Sequence, residues 1–418
     1  MHWMLLMAML QPAPDTVGVS AAEALVRAVE RSPQAEAARL QAESAAFEAE
    51  QAEAFTNPLL SVSVENLGSS EEFTGIPGAR GLEGQALLSS IVPLGGDRGS
   101  RIRYARAMAA TARAEATMAQ ADRALAAAQV ISAAVRDRAL VETAEEELAT
   151  LDRLAEALAL QEAEGRASLG DAARADLARV QAATRLARQQ VAEAASNEAL
   201  ARILGLEPGT VVSVTVEPCV PPGTDALEGD SVPPVPDLLQ AEARLELAQA
   251  GIDQALAGRV PDLLPQVGLR RTGGNSGLYL GLSTALPLFD YGNRGVDAAR
   301  ASEAAADRLQ DDAVRRLQAD RAAARRSEEA LSEAGARFSV TWQNNLEAAV
   351  TAAEARFDLG EGSLYELLDN RRARLAALDD YWQWQAEWWV ARARTARLEG
   401  AIPQAYAPCS FPLSGVER

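Results

Sequence analysis

Residues 57–67 read NPLLSVSVENL. Leu60, Val62 and Val64 alternate with Ser61, Ser63 and Glu65, the period-two pattern of a strand with one apolar and one polar face. The sequence on either side is alanine-rich and helical in pattern for long stretches. A short strand with an apolar face is out of place in such a chain unless something covers that face.

Three more segments carry the same pattern. In 277–288, Leu278, Leu280, Leu282, Leu286 and Leu288 share a face, opposed by Tyr279, Gly281, Ser283 and Ala285. The alternation is looser in 82–92 and shorter in 265–271, where Val267 and Leu269 oppose Gln266, Gly268 and Arg270. Two readings fit: an ordinary half-buried sheet packed on helices, or barrel strands that span a membrane. Four strands cannot close a barrel, which takes about eight or more. An open sheet edge cannot sit in lipid. Membrane strands would therefore require several chains to share one barrel, and three chains of four would suffice.

The chain also repeats itself. Pro33 and Pro58 stand 25 residues apart, as do Pro236 and Pro261. The segment IVPLGGDRG (91–99) answers ALPLFDYGNRG (285–295). Gly165, Ser168 and Leu169 answer Gly360, Ser363 and Leu364 at a constant offset of 195. Matched landmarks in one order predict a duplicated half chain. Each half reads helix (about 17–55, then 236–258), two strands (59–67 and 82–92, then 265–271 and 277–288), and a long helical stretch (98–160, then 294–358). A glycine turn and a last helix follow (171–204, then 364–399). The domains are accordingly 17–204, a Pro- and Gly-rich linker at 205–235, 236–400, and a tail at 401–418. The fold class is mainly α with a small β part.

Composition narrows the function. The net charge of −19 argues against nucleic acid, since phosphate contacts need clustered cations. The only histidine is His2, which leaves no basis for His-dependent catalysis or a zinc hydrolase site. Cys219 and Cys409 match no metal-ligand spacing, and whether they pair is left open. No catalytic residue, metal site or cofactor is expected. Residues 3–10, WMLLMAML, followed by QPAP, resemble the apolar core of a signal peptide, so 1–16 is read as a leader despite the lack of Lys or Arg before it.

The order of these elements, with NPLL and VEN around the first strand and PLGGDRG after the second, resembles the TolC-type outer-membrane efflux proteins. It is most similar to the outer-membrane components of cobalt–zinc–cadmium and related heavy-metal efflux systems. The resemblance covers roughly 17–400. It implies a homotrimer with a shared 12-stranded barrel in outer-membrane lipid and a helical tunnel in the periplasm. It also implies docking to a periplasmic adaptor protein and an inner-membrane RND transporter, and a passive, non-enzymatic role as the exit duct for heavy-metal cations. Multidrug efflux, type I protein secretion and a soluble structural coiled coil are the alternatives.

Under the resemblance, Leu60, Val62, Val64, Leu278, Leu280 and Leu282 face lipid. Pro58, Pro93, Pro261 and Pro287 mark the junction between barrel and tunnel. The turns near 165 and 360 become the periplasmic tips. Glu366 and Asp369 share a helix face there, and with Asp171 and Arg174 they are expected at the entrance constriction. An ion pair from Arg174 to Asp369 or Glu366 would latch it closed. Gly165, Ser168, Leu169, Gly360, Gly362, Ser363 and Leu364 are the expected adaptor contacts.

Overall fold

The computed structural model describes residues 16–65, 83–216, 235–272, 275–338, 340–401, 406 and 408. In chain order the elements are β1 (Thr16–Ser20), α1 (Ala21–Glu30), α2 (Pro33–Glu53), β2 (Leu59–Glu65), β3 (Glu83–Ser89), α3 (Asp97–Ala163) and α4 (Leu169–Ile203). They continue with β4 (Val211–Thr215), α5 (Pro236–Ala257), β5 (Leu263–Thr272), β6 (Asn275–Thr284), α6 (Asn293–Gly335), α7 (Val340–Asp358) and α8 (Leu364–Leu398). His2, Cys219 and Cys409 lie outside the described residues.

The chain forms two compact units, and each takes segments from both halves of the repeat. One comprises Met1–Ala37, Met118–Pro236 and Arg316–Arg418; the other comprises Ala38–Thr117 and Asp237–Arg315.

The second unit holds a four-stranded antiparallel sheet of order β2-β3-β5-β6, one hairpin from each half. Its strands follow the alternation read from the sequence, with shifted ends. Strand β5 starts earlier than expected, at Leu263, and β6 ends at Thr284, so Leu286 and Leu288 fall beyond the strand. Strand β3 stops at Ser89 rather than 92, although Val92 still bridges to Leu263. Pro93 and Pro287, which cannot donate to a ladder, stand just beyond these two strands. The expected strand residues 66, 67 and 82 are outside the described residues.

The first unit holds a feature the sequence reading passed over. Strand β4, within the expected linker, pairs in parallel with β1, within the expected first helix. The Asn197 side chain clips the outer edge of β4: its Nδ2 donates to the Thr210 carbonyl at 2.8 Å, and its Oδ1 accepts from the Val212 N–H at 2.9 Å. Val19, Ala24, Leu25 and Ala28 pack there against Ala124, Ala127, Ala128 and Ile131 of α3 and Leu200 of α4. Alanine at these positions lets the backbones approach closely.

Two expected helices are in fact interrupted. The stretch 17–55 divides into β1, α1 and α2, because Ser20 caps α1 by accepting from the Glu23 N–H at 3.2 Å. Buried Ser32 then restarts the chain as α2, accepting from the Ala35 N–H at 3.3 Å, with Pro33 at the first helical position. The stretch 294–358 breaks after Gly335. A Cβ on Gly335 would run into the Trp384 ring. Phe338 then turns into an aromatic cluster with Trp342, Tyr381 and Trp384, its ring centroid 5.1–5.4 Å from theirs. Trp388 joins through Trp384 at 6.3 Å.

Candidate functional site

Two features of the structure bear on function: the sheet of the second unit and the hairpin tips of the first. The register sets residues side by side across all four strands. Leu60 faces Leu88, Leu88 faces Val267, and Val267 faces Leu280. One turn of the pleat along, Val62, Ala86, Leu269 and Leu278 line up in the same way. Cross-strand partners share a face, so the sheet carries one continuous apolar surface. It is bare: among its large apolar side chains exposure runs from 44% at Val267 to 72% at Leu280. An ordinary half-buried sheet would have helices over this face. The opposite face bears Ser61, Ser63, Glu65, Gln85, Glu83 and Arg270, with Arg270 3.9 Å from Glu83.

The sheet also ends in two open edges. Strands β2 and β6 each have one strand neighbour among the described residues, leaving a row of backbone donors and acceptors free on either side. The end at which Leu59 pairs with Ser89 and Leu263 with Thr284 is the end near Pro58, Pro93, Pro261 and Pro287.

The tips of the first unit repeat each other bond for bond. Gly165 and Gly360 have φ of 73° and 75°, the left-handed region that favours glycine. The Gly165 N–H donates to the Glu162 carbonyl and the Arg166 N–H to that of Gln161. The Gly360 N–H donates to the Phe357 carbonyl and the Glu361 N–H to that of Arg356. Both are Schellman closures. Ser168 then caps α4 by accepting from the Asp171 N–H at 3.0 Å, and Ser363 caps α8 by accepting from the Glu366 N–H at 3.1 Å. The ends of α4 and α8 match as well: Leu206 donates to Ala201, and Ala401 to Ala396. Every one of these bonds recurs after 195 residues, the offset read from the sequence. Ser363→Ala is expected to destabilise the start of α8 by about 1 kcal/mol, seen as faster amide exchange at 364–367. Ser168→Ala should do the same at 169–172.

The structure sorts the expected tip residues. Leu364 is buried against Leu151, Ala155, Leu158 and Ala178, so it is a core residue and not a contact surface. Leu169 is exposed, as are Leu359 and Tyr365, which the sequence reading did not single out. Gly362 lies close to the preceding helix, where a Cβ would come within 3.1 Å of Arg356. Within the protomer the expected latch is not made. Arg174 Nη1 lies 3.4 Å from Asp171 Oδ1 on its own helix, and Glu366 Oε1 lies 2.5 Å from Arg356 Nη1. Asp369 is exposed with no ion-pair partner among the described residues. Behind the tips, buried Arg371 of α8 bonds Glu147 of α3 at 3.0 Å and also pairs with Glu354 of α7.

Among the described residues no cluster of His, Cys, Asp or Glu could hold a metal ion, and no helix is long and apolar enough to cross a membrane.

A sheet apolar on one face and open at both edges has the pattern of strands that need further strands to complete a barrel. Residues 235–401 match the family described as "Outer membrane efflux protein". The chain is 32% identical over 273 residues to the nickel and cobalt resistance protein CnrC of Cupriavidus metallidurans, covering 62% of this chain and 61% of that one. The chain thus spans about three fifths of the length of this relative. The fold is similar to that of the outer membrane protein VceC of Vibrio cholerae (TM-score 0.71, 21% identity, covering 91% of this chain and 96% of that one). It is also similar to CusC (TM-score 0.71, 17% identity, covering 94% and 96%), whose structures concern folding and transmembrane channel formation.

Proposed function

We propose that this chain is one subunit of a homotrimeric outer-membrane duct, the passive exit of a tripartite efflux pump for heavy-metal cations. The observation that carries this reading is the bare apolar face of a sheet open at both edges. In water, such a face and two such edges would be an aggregation hazard. In a shared barrel the edges of β2 and β6 pair with neighbouring copies, and the apolar face meets lipid. Leu60, Val62, Val64, Leu278, Leu280 and Leu282 then face the bilayer, and Ser61, Ser63 and Glu65 face the lumen. Three copies supply twelve strands, enough for an open pore. Pro58, Pro93, Pro261 and Pro287 stand where strands give way to helices.

The helical hairpins would form the periplasmic tunnel, with the tips at its entrance. Asp171, Arg174, Glu366 and Asp369 are the proposed constriction residues; any Arg174 latch would have to form between copies. Gly165, Ser168, Leu169, Gly360, Gly362 and Ser363, together with Leu359 and Tyr365, make up the proposed contact with a periplasmic adaptor, behind which an inner-membrane RND transporter supplies the cargo. The identity with CnrC, a nickel and cobalt resistance protein, supports metal cations as that cargo. A duct has no need of a tight metal site along its path.

Deleting the gene from its host is the test. The deletion is expected to lower tolerance to cobalt, nickel, zinc or cadmium salts, with recovery on re-expression of the chain. Unchanged metal tolerance together with new sensitivity to dyes and detergents would move the cargo to the multidrug class. No change in either would contradict the duct.

A further inference from the structure

Each hairpin tip carries an arginine close to an acid, but the two tips use them differently. At the first tip, Arg166 pairs with Glu164 in the turn and Arg174 with Asp171 on α4. At the second tip, Arg356 sits in the last turn of α7 and reaches across the turn to Glu366 in the first turn of α8. Glu366 is one of the two acids that share the α8 face, three residues from Asp369. The side chains of Arg356 and Glu366 are 53% and 38% exposed, so both face solvent and neither is needed to fill a core. Leu364 and Leu368 hold that end of α8 independently through the tip core.

We infer that Arg356 sets the charge of the entrance, and hence its cation preference, by cancelling one of the two carboxylates each subunit presents there. This deepens the duct reading and rests on it. With Arg356 in place, Arg356, Glu366 and Asp369 together carry one net negative charge per subunit. Without it they carry two. Three subunits would therefore present three net negative charges at this level rather than six. A ring of carboxylates attracts cations and repels anions in proportion to its unbalanced charge. Moderate charge suits a duct for divalent cations: the entrance must favour them over anions yet bind them weakly enough to let them leave. Asp369, with no ion-pair partner among the described residues, supplies that charge.

The test uses the full-length protein in planar bilayers, with the reversal potential under a potassium chloride gradient and block by lanthanum chloride as readouts. Ionic strength is kept near 0.1 M, where the screening length is about 10 Å. Arg356→Gln is expected to raise cation preference and to tighten lanthanum block roughly tenfold. Arg356→Lys should behave as the wild type does. The double variant Arg356→Gln with Glu366→Gln restores the charge count and is expected to restore wild-type selectivity, which loss of a merely structural contact would not do. Arg356→Gln indistinguishable from the wild type, or a double variant no closer to the wild type than the single, would overturn the inference and leave the duct intact. A wild-type protein that forms no pore would instead sink the duct reading itself.

Discussion

Arg371→Leu is expected to be among the most damaging single changes in the chain, costing about 3–5 kcal/mol. The Arg371 side chain is 9% exposed and that of Glu147 is 3% exposed. The guanidinium joins three helices, because Glu147 lies on α3, Glu354 on α7 and Arg371 on α8. Removing it leaves the Glu147 carboxylate in a dry site with no counter-charge. The damage should be local to the hairpin: amide exchange should accelerate along α7 and the first half of α8, while the sheet of the other unit keeps its protection. Arg371→Leu combined with Glu147→Leu should recover most of the loss, since two apolar side chains can replace a buried pair. Equal exchange in the wild type and the single variant would mean that the cluster contributes nothing.

Trp384→Ala is expected to cost a similar amount, about 3–5 kcal/mol. Trp384 is buried, its Nε1 donates to the Leu331 carbonyl at 2.7 Å, and its ring lies within 6.3 Å of those of Phe338, Tyr381 and Trp388. Alanine would leave a cavity at the break between α6 and α7 and an acceptor without its donor. Near-ultraviolet circular dichroism and a lowered melting temperature report the loss. Tyr381 offers a second readout. Burial pushes its phenol above the ordinary value, because the phenolate is disfavoured there. The raised folded value means that this contribution to stability is complete below pH about 10 and fades as pH rises through it. Opening the cluster should bring the phenol back toward the ordinary value in a spectrophotometric titration.

The parts of this fold that could be read from the sequence are those with local grammar. Strand faces declare themselves through a period of two, and the register carries that alternation unbroken across four strands. The tips declare themselves because glycine and serine have fixed duties in ending one helix and starting the next, and the duplication wrote them twice. The rest depends on contacts distant along the chain. The stretch 294–358 reads as one helix in the sequence, and what stands against Gly335 at the break is a tryptophan ring 49 residues further on. Strand β4 is five residues long and sits among prolines and glycines, and its partner β1 is nearly two hundred residues earlier. The burial of Leu364 could not be separated from the exposure of Leu169, although the two occupy matching positions, because side chains of other helices cover Leu364 and leave Leu169 open. Nor does spacing along the chain link Arg371 to a glutamate 224 residues away.

If other copies of the chain complete the sheet, cysteines on its two open edges will cross-link from one copy to the next. In a chain with Cys219 and Cys409 changed to serine, one cysteine is placed on β2 at Ser61 or Ser63 and another on β6 at Tyr279 or Ser283. Outer membranes are oxidised and run on a denaturing gel without reductant. At least one pairing should give bands of two and three chains and nothing larger, because a closed ring of three leaves no free edge. Single chains alone in every pairing, or a ladder running past three, would contradict it.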